Sequence, residues 1–136
     1  SLHAPNDTLR KQLIPWAEFA SIEDILKSCN TYFNATGREI TLEYLLLGEI
    51  NDRSAQAKEL ADLCKTLRCN VNLIRYNEVP ELDFKRPKTE QVRRFQETLT
   101  KGGVNSHIRA SRGRDISAAC GQLKREHQPF PIEESS

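Results

Sequence analysis

Glu39-Ile-Thr-Leu-Glu-Tyr-Leu-Leu-Leu47 is the stretch on which the fold turns. It is rich in apolar and β-branched residues and reads as a strand. Successive side chains of a strand point to opposite faces. Ile40, Leu42, Tyr44 and Leu46 therefore share one apolar face, and Thr41, Glu43, Leu45 and Leu47 share a mixed one. Downstream, Asp52 is expected to cap a helix whose buried stripe is Ala57, Leu60, Ala61, Cys64 and Leu67. Asn70 to Arg75 reads as a second strand, with Val71 and Leu73 opposed to Asn70, Asn72 and Ile74. Glu78 to Pro87 is a proline-containing loop. Thr89 is expected to cap the next helix, with Val92, Phe95 and Leu99 facing inward and Gly102-Gly103 ending it. Val104 to Arg109 makes a last strand, with Val104, Ser106 and Ile108 opposed to Asn105, His107 and Arg109.

Strands that alternate with helices imply parallel pairing and right-handed crossovers. The fold class is thus α/β. Each strand has an apolar face for the helices and a face bearing polar groups. Those polar faces line the lumen of a partial (β/α) barrel or are simply solvated. Ligand sites in such folds lie at the carboxyl ends of the strands. Ahead of the quoted run, Asp7 to Leu13 is expected as a short helix before Pro15. Ser21 then opens a helix with Ile22, Ile25, Leu26, Cys29, Tyr32 and Phe33 at helical spacing. Ser21 and Asp24 form a capping-box pattern, and Gly37 ends the segment. At the other end Asp115 is expected to cap a short helix. Residues 1–127 read as one unit, and Gln128 to Ser136, with its prolines and acids, as a disordered tail.

A net charge of +1 excludes a global basic field. The balance is local: Arg109, Arg112, Arg114, Lys124 and Arg125 stand against Asp115 alone. Such a run holds phosphates or is a solvated surface. Neither a signal peptide nor an apolar membrane span is visible, so a cytoplasmic protein is expected. Cys29, Cys64, Cys69 and Cys120 are unclustered, which fits a reducing compartment better than a disulfide scaffold. Cys29 and Cys64 fall on apolar helix stripes and read as packing. Cys64 and Cys69 are spaced C-x4-C with no second ligand pair, so no metal site is expected. Glu43 is a lumen acid or an arginine partner, and His107 and His127 lack a partner motif.

Cys120 differs from the other cysteines. It sits in Ile108-Arg-Ala-Ser-Arg-Gly-Arg-Asp-Ile-Ser-Ala-Ala-Cys-Gly-Gln-Leu123, flanked by small residues and preceded by arginines. Guanidiniums favour the thiolate, the reactive form. By local chemistry Cys120 is a functional thiol or a small hydrophobe on a short helix. The same segment resembles the C-terminal signature of the RlmN/Cfr family, radical S-adenosylmethionine (SAM) enzymes that methylate adenosine in RNA. Ser1-Leu-His-Ala-Pro-Asn-Asp7 resembles that family's SAM-contacting strand end. Asn70-Val-Asn-Leu-Ile-Arg-Tyr-Asn77 resembles a later strand whose final asparagine also contacts SAM. Glu43-Tyr-Leu-Leu-Leu47 followed by Asn51-Asp52 fits the strand between them. Arg75 departs from the proline common there.

The resemblance runs from Ser1 to about Leu123 and implies the C-terminal half of a radical SAM partial barrel. It implies a SAM site at Ser1, Leu2, His3 and Asn77. Without it, His3 is a loop hydrogen-bond partner and Asn77 a turn cap. It makes Cys120 the methyl carrier: the thiolate is methylated, and the resulting S-methylcysteine delivers its carbon to adenosine C2 of 23S ribosomal RNA, with transfer RNA as a further substrate. An amidine carbon is a poor nucleophile, so covalent relay through sulfur divides a difficult step. Arg109, Arg112 and Arg114 then become partners for phosphate or the SAM carboxylate. Adenosine C8 methylation, another radical SAM activity and a non-catalytic RNA-binding module remain as alternatives. The closely spaced cysteine run that holds the family's 4Fe-4S cluster has no counterpart in this sequence, nor does the cysteine that releases the product. The chain opens inside a motif and has no Met. It is expected to be the C-terminal portion of a longer enzyme, inactive without its N-terminal half, with open strand edges that invite pairing or dimerisation.

Overall fold

The structure, a computed structural model, describes residues 1–80 and 82–110. Three parallel strands, β1 (Ile40–Leu46), β2 (Cys69–Arg75) and β3 (Asn105–Ala110), form one sheet in the order β1-β2-β3. Helices α1 (Asp7–Leu13), α2 (Ile22–Thr36), α3 (Ser54–Cys64) and α4 (Thr89–Lys101) alternate with them, and a short 3₁₀ helix, Pro15–Phe19, follows α1. This is the α/β alternation expected from the sequence. The 3₁₀ helix was not expected, because Pro15 reads as a breaker when it in fact opens a new turn.

The helix borders show which local signals prevailed. Ser21 Oγ accepts from Asp24 N–H at 3.1 Å and Ser21 N–H donates to the Asp24 carboxylate at 3.4 Å, a closed capping box. Gly37 ends α2 at φ 73°, which glycine adopts without strain. Two expected caps are corrected. Asp52 does not cap α3. Its carboxylate accepts from Glu49 N–H at 3.0 Å, and Gln56 instead accepts from Arg53 N–H at 2.9 Å. Thr89 is the first residue of α4, not its cap, and its hydroxyl accepts from the Arg75 guanidinium at 3.0 Å.

The two sheet faces carry two cores. Leu42, Tyr44, Leu46, Val71 and Leu73 pack beneath Ile22 and Leu26 of α2, the stripe Ala57, Leu60, Ala61 and Cys64 of α3, and Val92, Phe95 and Leu99 of α4. The Tyr44 and Phe95 rings meet at 5.3 Å. At the seam between α3 and α4, a Cβ on Gly102 would stand 2.8 Å from the Ala61 Cβ. The α2 stripe is shallower than its spacing suggests, for Tyr32 is 44% exposed.

The mixed face is divided along its length. Its carboxyl half, Leu45, Leu47, Ile74 and Tyr76, is covered by Ala4, Leu13, Ile14, Ala17, Leu82 and Phe84. Its amino half is polar and satisfied laterally. Asn105 donates to Asn70 at 2.8 Å, and Asn70 and Arg68 donate to Glu39 at 3.2 and 3.1 Å. In the next layer Asn72 and Arg109 donate to Glu43 at 3.1 and 3.3 Å. Glu43 is thus the partner of an arginine. At 40% and 37% exposure this ion pair adds little stability and serves to order the layer. The Asp115 helix, Cys120 and the tail lie outside the described residues.

Candidate functional site

The carboxyl rim of the sheet begins with residues 1–4, which lie along the free edge of β1. Leu2 N–H donates to Glu43 O at 2.9 Å. His3 then takes a left-handed φ of 62°, a conformation that costs a side-chain-bearing residue energy and recurs at functional sites. Hydrogen bonds on both sides hold it. Leu45 N–H donates to His3 Nδ1 at 2.9 Å, and Asn51 Nδ2 donates to His3 O at 2.8 Å. An Nδ1 that accepts carries no proton, so the neutral ring keeps its proton on Nε2. His3 does make the loop hydrogen bond that its position allows, and the ring is buried.

Asn51 knots this rim together. It is fully buried. Its Nδ2 also donates to Leu45 O at 2.8 Å, its Oδ1 accepts from Leu47 N–H at 2.7 Å, and its own carbonyl accepts from Tyr44 Oη at 2.7 Å. Burial drives the Tyr44 hydroxyl well above the usual phenol range, which keeps it a donor. Arg10 ties the other side. From a buried position on α1 its guanidinium donates to Leu2 O at 3.2 Å, Ser1 O at 3.3 Å and Ala20 O at 3.4 Å. Neither residue was singled out from sequence as a site component. The available signals were an arginine on the inner face of a short helix, and an asparagine following a strand and a turn.

Asn77 stands two positions beyond β2, half-buried, just after Tyr76 N–H donates to Leu46 O at 3.3 Å. The structure thus puts the Ser1–His3 segment and Asn77 on the same carboxyl side of the sheet, on either flank of β1. Cys120, Arg112 and Arg114 lie outside the described residues. Arg109, on β3, is engaged with Glu43.

A cleft of about 520 Å³ opens on the same rim, with Arg53, Lys85, Arg86 and Lys88 interleaved with Glu49 and Glu78. Its floor is a backbone contact. Gly48 N–H donates to Lys85 O at 2.7 Å, and a Cβ on Gly48 would meet Arg86 O at 2.8 Å and Lys85 O at 3.1 Å. Those carbonyls cannot rotate away as a flexible side chain would. Gly48→Ala is therefore expected to cost about 2 kcal/mol through overpacking and to shift the 85–86 backbone out of the cleft. Urea denaturation read by circular dichroism measures the cost. A loss under about 0.5 kcal/mol would show that the loop yields freely. Asp52, below the same turn, has its carboxyl pKa raised by burial, an effect opposed by the Glu49 N–H.

Among the described residues no group of three or more His, Cys, Asp or Glu side chains could hold a metal ion. The described residues therefore do not make a ligand set for an iron–sulfur cluster. No helix among the described residues is long and apolar enough to cross a membrane.

No family model matches the chain. It is 49% identical over 127 residues to a protein of Alkaliphilus oremlandii named probable dual-specificity RNA methyltransferase RlmN, covering 93% of this chain and 37% of that protein. A protein of the same name from Clostridium tetani is 46% identical over 127 residues, covering 93% and 36%. The crystal structure of a radical SAM methyltransferase from Sphaerobacter thermophilus superposes with a TM-score of 0.80 at 46% identity, over 90% of this chain and 36% of that one. The chain spans little more than a third, 36 to 37%, of the relatives it matches.

Proposed function

We propose, from the premise that this chain shares its sequence and fold with the RlmN-type radical SAM methyltransferases, that it supplies the methyl-carrying part of an RNA adenosine methyltransferase. The observation that carries this reading is identity of 46 to 49% over 93% of the chain to proteins bearing that name. The target is adenosine C2 in 23S ribosomal RNA, with transfer RNA as the second substrate of a dual-specificity enzyme. The chain works together with the remainder of that enzyme, which brings the cluster ligands this sequence lacks.

Ser1, Leu2, His3 and Asn77 would hold SAM, which when bound supplies the methyl group and, with the cluster, a radical. The buried Arg10 and Asn51 fix the backbone of the first three residues, so the ligand meets a preorganised edge. Cys120 would carry the methyl group as S-methylcysteine. Arg112 and Arg114, close to it in sequence, would favour the thiolate and offer charge to phosphates. Arg109 contributes by orienting Glu43 across the sheet.

The reading is tested on the complete enzyme with its cluster reconstituted and SAM supplied. The peptide carrying Cys120 is expected to gain one methyl group by mass spectrometry. An unmodified Cys120 in enzyme with an intact cluster would overturn the carrier role, and this segment would then be an RNA-contacting half-barrel.

A further inference from the structure

We propose that Cys64 and Cys69 form a two-thiol redox site, in which Cys69 attacks a low-molecular-weight disulfide and Cys64 resolves the mixed disulfide into an intramolecular bond. The site lies at the amino end of the strands, away from His3 and Asn77. Cys64 ends α3 and Cys69 begins β2. The intervening turn is tight: Lys65 N–H donates to Asp62 O at 3.3 Å, Thr66 N–H to Leu63 O at 3.4 Å and Leu67 N–H to Cys64 O at 3.3 Å. This turn brings both cysteines to one end of the sheet, beside the same cleft.

Both cysteines line a cleft of about 330 Å³ shared with Glu39, Arg68, Asn70 and Asn105. Access divides their roles. Cys69 is half-buried and faces this cleft, whereas Cys64 is 7% exposed and packs in the main core. Charge divides them in the same sense. The hydrogen bond from Cys64 holds the Cys69 thiol below its ordinary pKa, against opposition from burial and from Glu39. Donating that bond, together with burial, pushes Cys64 strongly up. Its place at a helix carboxyl end also disfavours a thiolate. Cys69 is thus the nucleophile and Cys64 the protonated reserve. Cys29, raised by burial, serves as an internal comparison.

The chemistry balances as thiol–disulfide exchange. Cys69 sulfur bonds one sulfur of the small disulfide and expels the other as a thiolate. Cys64 gives its proton to that leaving group or to solvent and bonds Cys69, expelling the second small thiol. The protein pair loses two electrons, and the small disulfide becomes two thiols.

The test uses the complete reduced protein, incubated with oxidised glutathione, quenched with a maleimide in acid and digested with trypsin. Cleavage at Lys58, Lys65, Arg68 and Arg75 puts the two cysteines in separate peptides, Glu59–Lys65 and Cys69–Arg75. The expected product is these peptides joined by a disulfide, with Cys69 consumed several-fold faster than Cys29, in keeping with its larger thiolate fraction. Cys64→Ser should stop at glutathionylated Cys69, and Cys69→Ser should leave Cys64 unmodified. Wild-type kinetics decide the matter even if a variant fails to fold. Cys69 reacting no faster than Cys29, or a mixed disulfide that accumulates without resolving, overturns the proposal. A linked pair that forms equally fast in urea overturns it as well.

Discussion

Asn51→Ala is expected to lower the unfolding free energy by about 4 kcal/mol, as each buried group left without a partner costs about 1–3 kcal/mol. The substitution strands Leu47 N–H and the carbonyls of His3 and Leu45, all in a site that is fully enclosed. It also leaves a void where a fully buried amide stood. A loss of this size is a large fraction of a domain's total stability. Asn51→Asp should be no better, because an oxygen would then face two carbonyls. The second readout is local. Once His3 O is released, its left-handed backbone loses one of the bonds that hold it, and SAM affinity of the complete enzyme should fall at least tenfold, about 1.4 kcal/mol. Urea midpoints and equilibrium binding measure the two effects. A loss below about 1 kcal/mol would mean that water fills the amide's place and makes its bonds.

Cys120→Ser in the complete enzyme is expected to abolish methyl transfer to RNA while leaving RNA affinity within about twofold, a difference under 0.5 kcal/mol. A serine hydroxyl is not ionised near neutral pH and needs an adjacent base to become a nucleophile, whereas a cysteine thiol ionises far more readily, the more so near positive charge. The substitution removes one sulfur and no positive charge, so any phosphate binding by Arg112 and Arg114 is expected to persist. Radiolabel transfer from SAM and a filter-binding assay separate the two readouts. Residual turnover at a tenth of wild type would reject the covalent relay, and a joint loss of both properties would point to misfolding.

The apolar face of Ile40, Leu42, Tyr44 and Leu46 was legible because side chains of a strand alternate with period 2 whatever the tertiary context. The stripes of α3 and α4 were legible for the corresponding helical reason. Caps were less so. Asp52 and Thr89 are both good capping residues, but each found a competing partner, Glu49 N–H and Arg75, that no local pattern announces. The division of the mixed face escaped notice too, because it is made by residues far away in the chain. Leu13, Ile14, Ala17, Leu82 and Phe84 cover only the carboxyl half. At the rim, motif resemblance pointed to Ser1–His3 and Asn77. It did not mark Arg10 or Asn51 as site residues, because their importance lies in which distant carbonyls they reach.

The order of the strands in the sheet, β1-β2-β3, repeats their order in the chain. Each new strand therefore docks on an edge that earlier residues have already completed, and no finished pairing must open to admit a latecomer. Synthesis delivers residues from the amino end at about 5–20 per second, slowly compared with helix or hairpin formation. On that timescale the sheet can grow by accretion as the polypeptide leaves the ribosome. A translational pause after Arg75 leaves the β3-facing edge of β2 unpaired, and the arrival of Asn105–Ala110 pairs it. Insertions between α4 and β3 would delay that closure and lengthen the time during which a nascent chain can pair with the wrong neighbour.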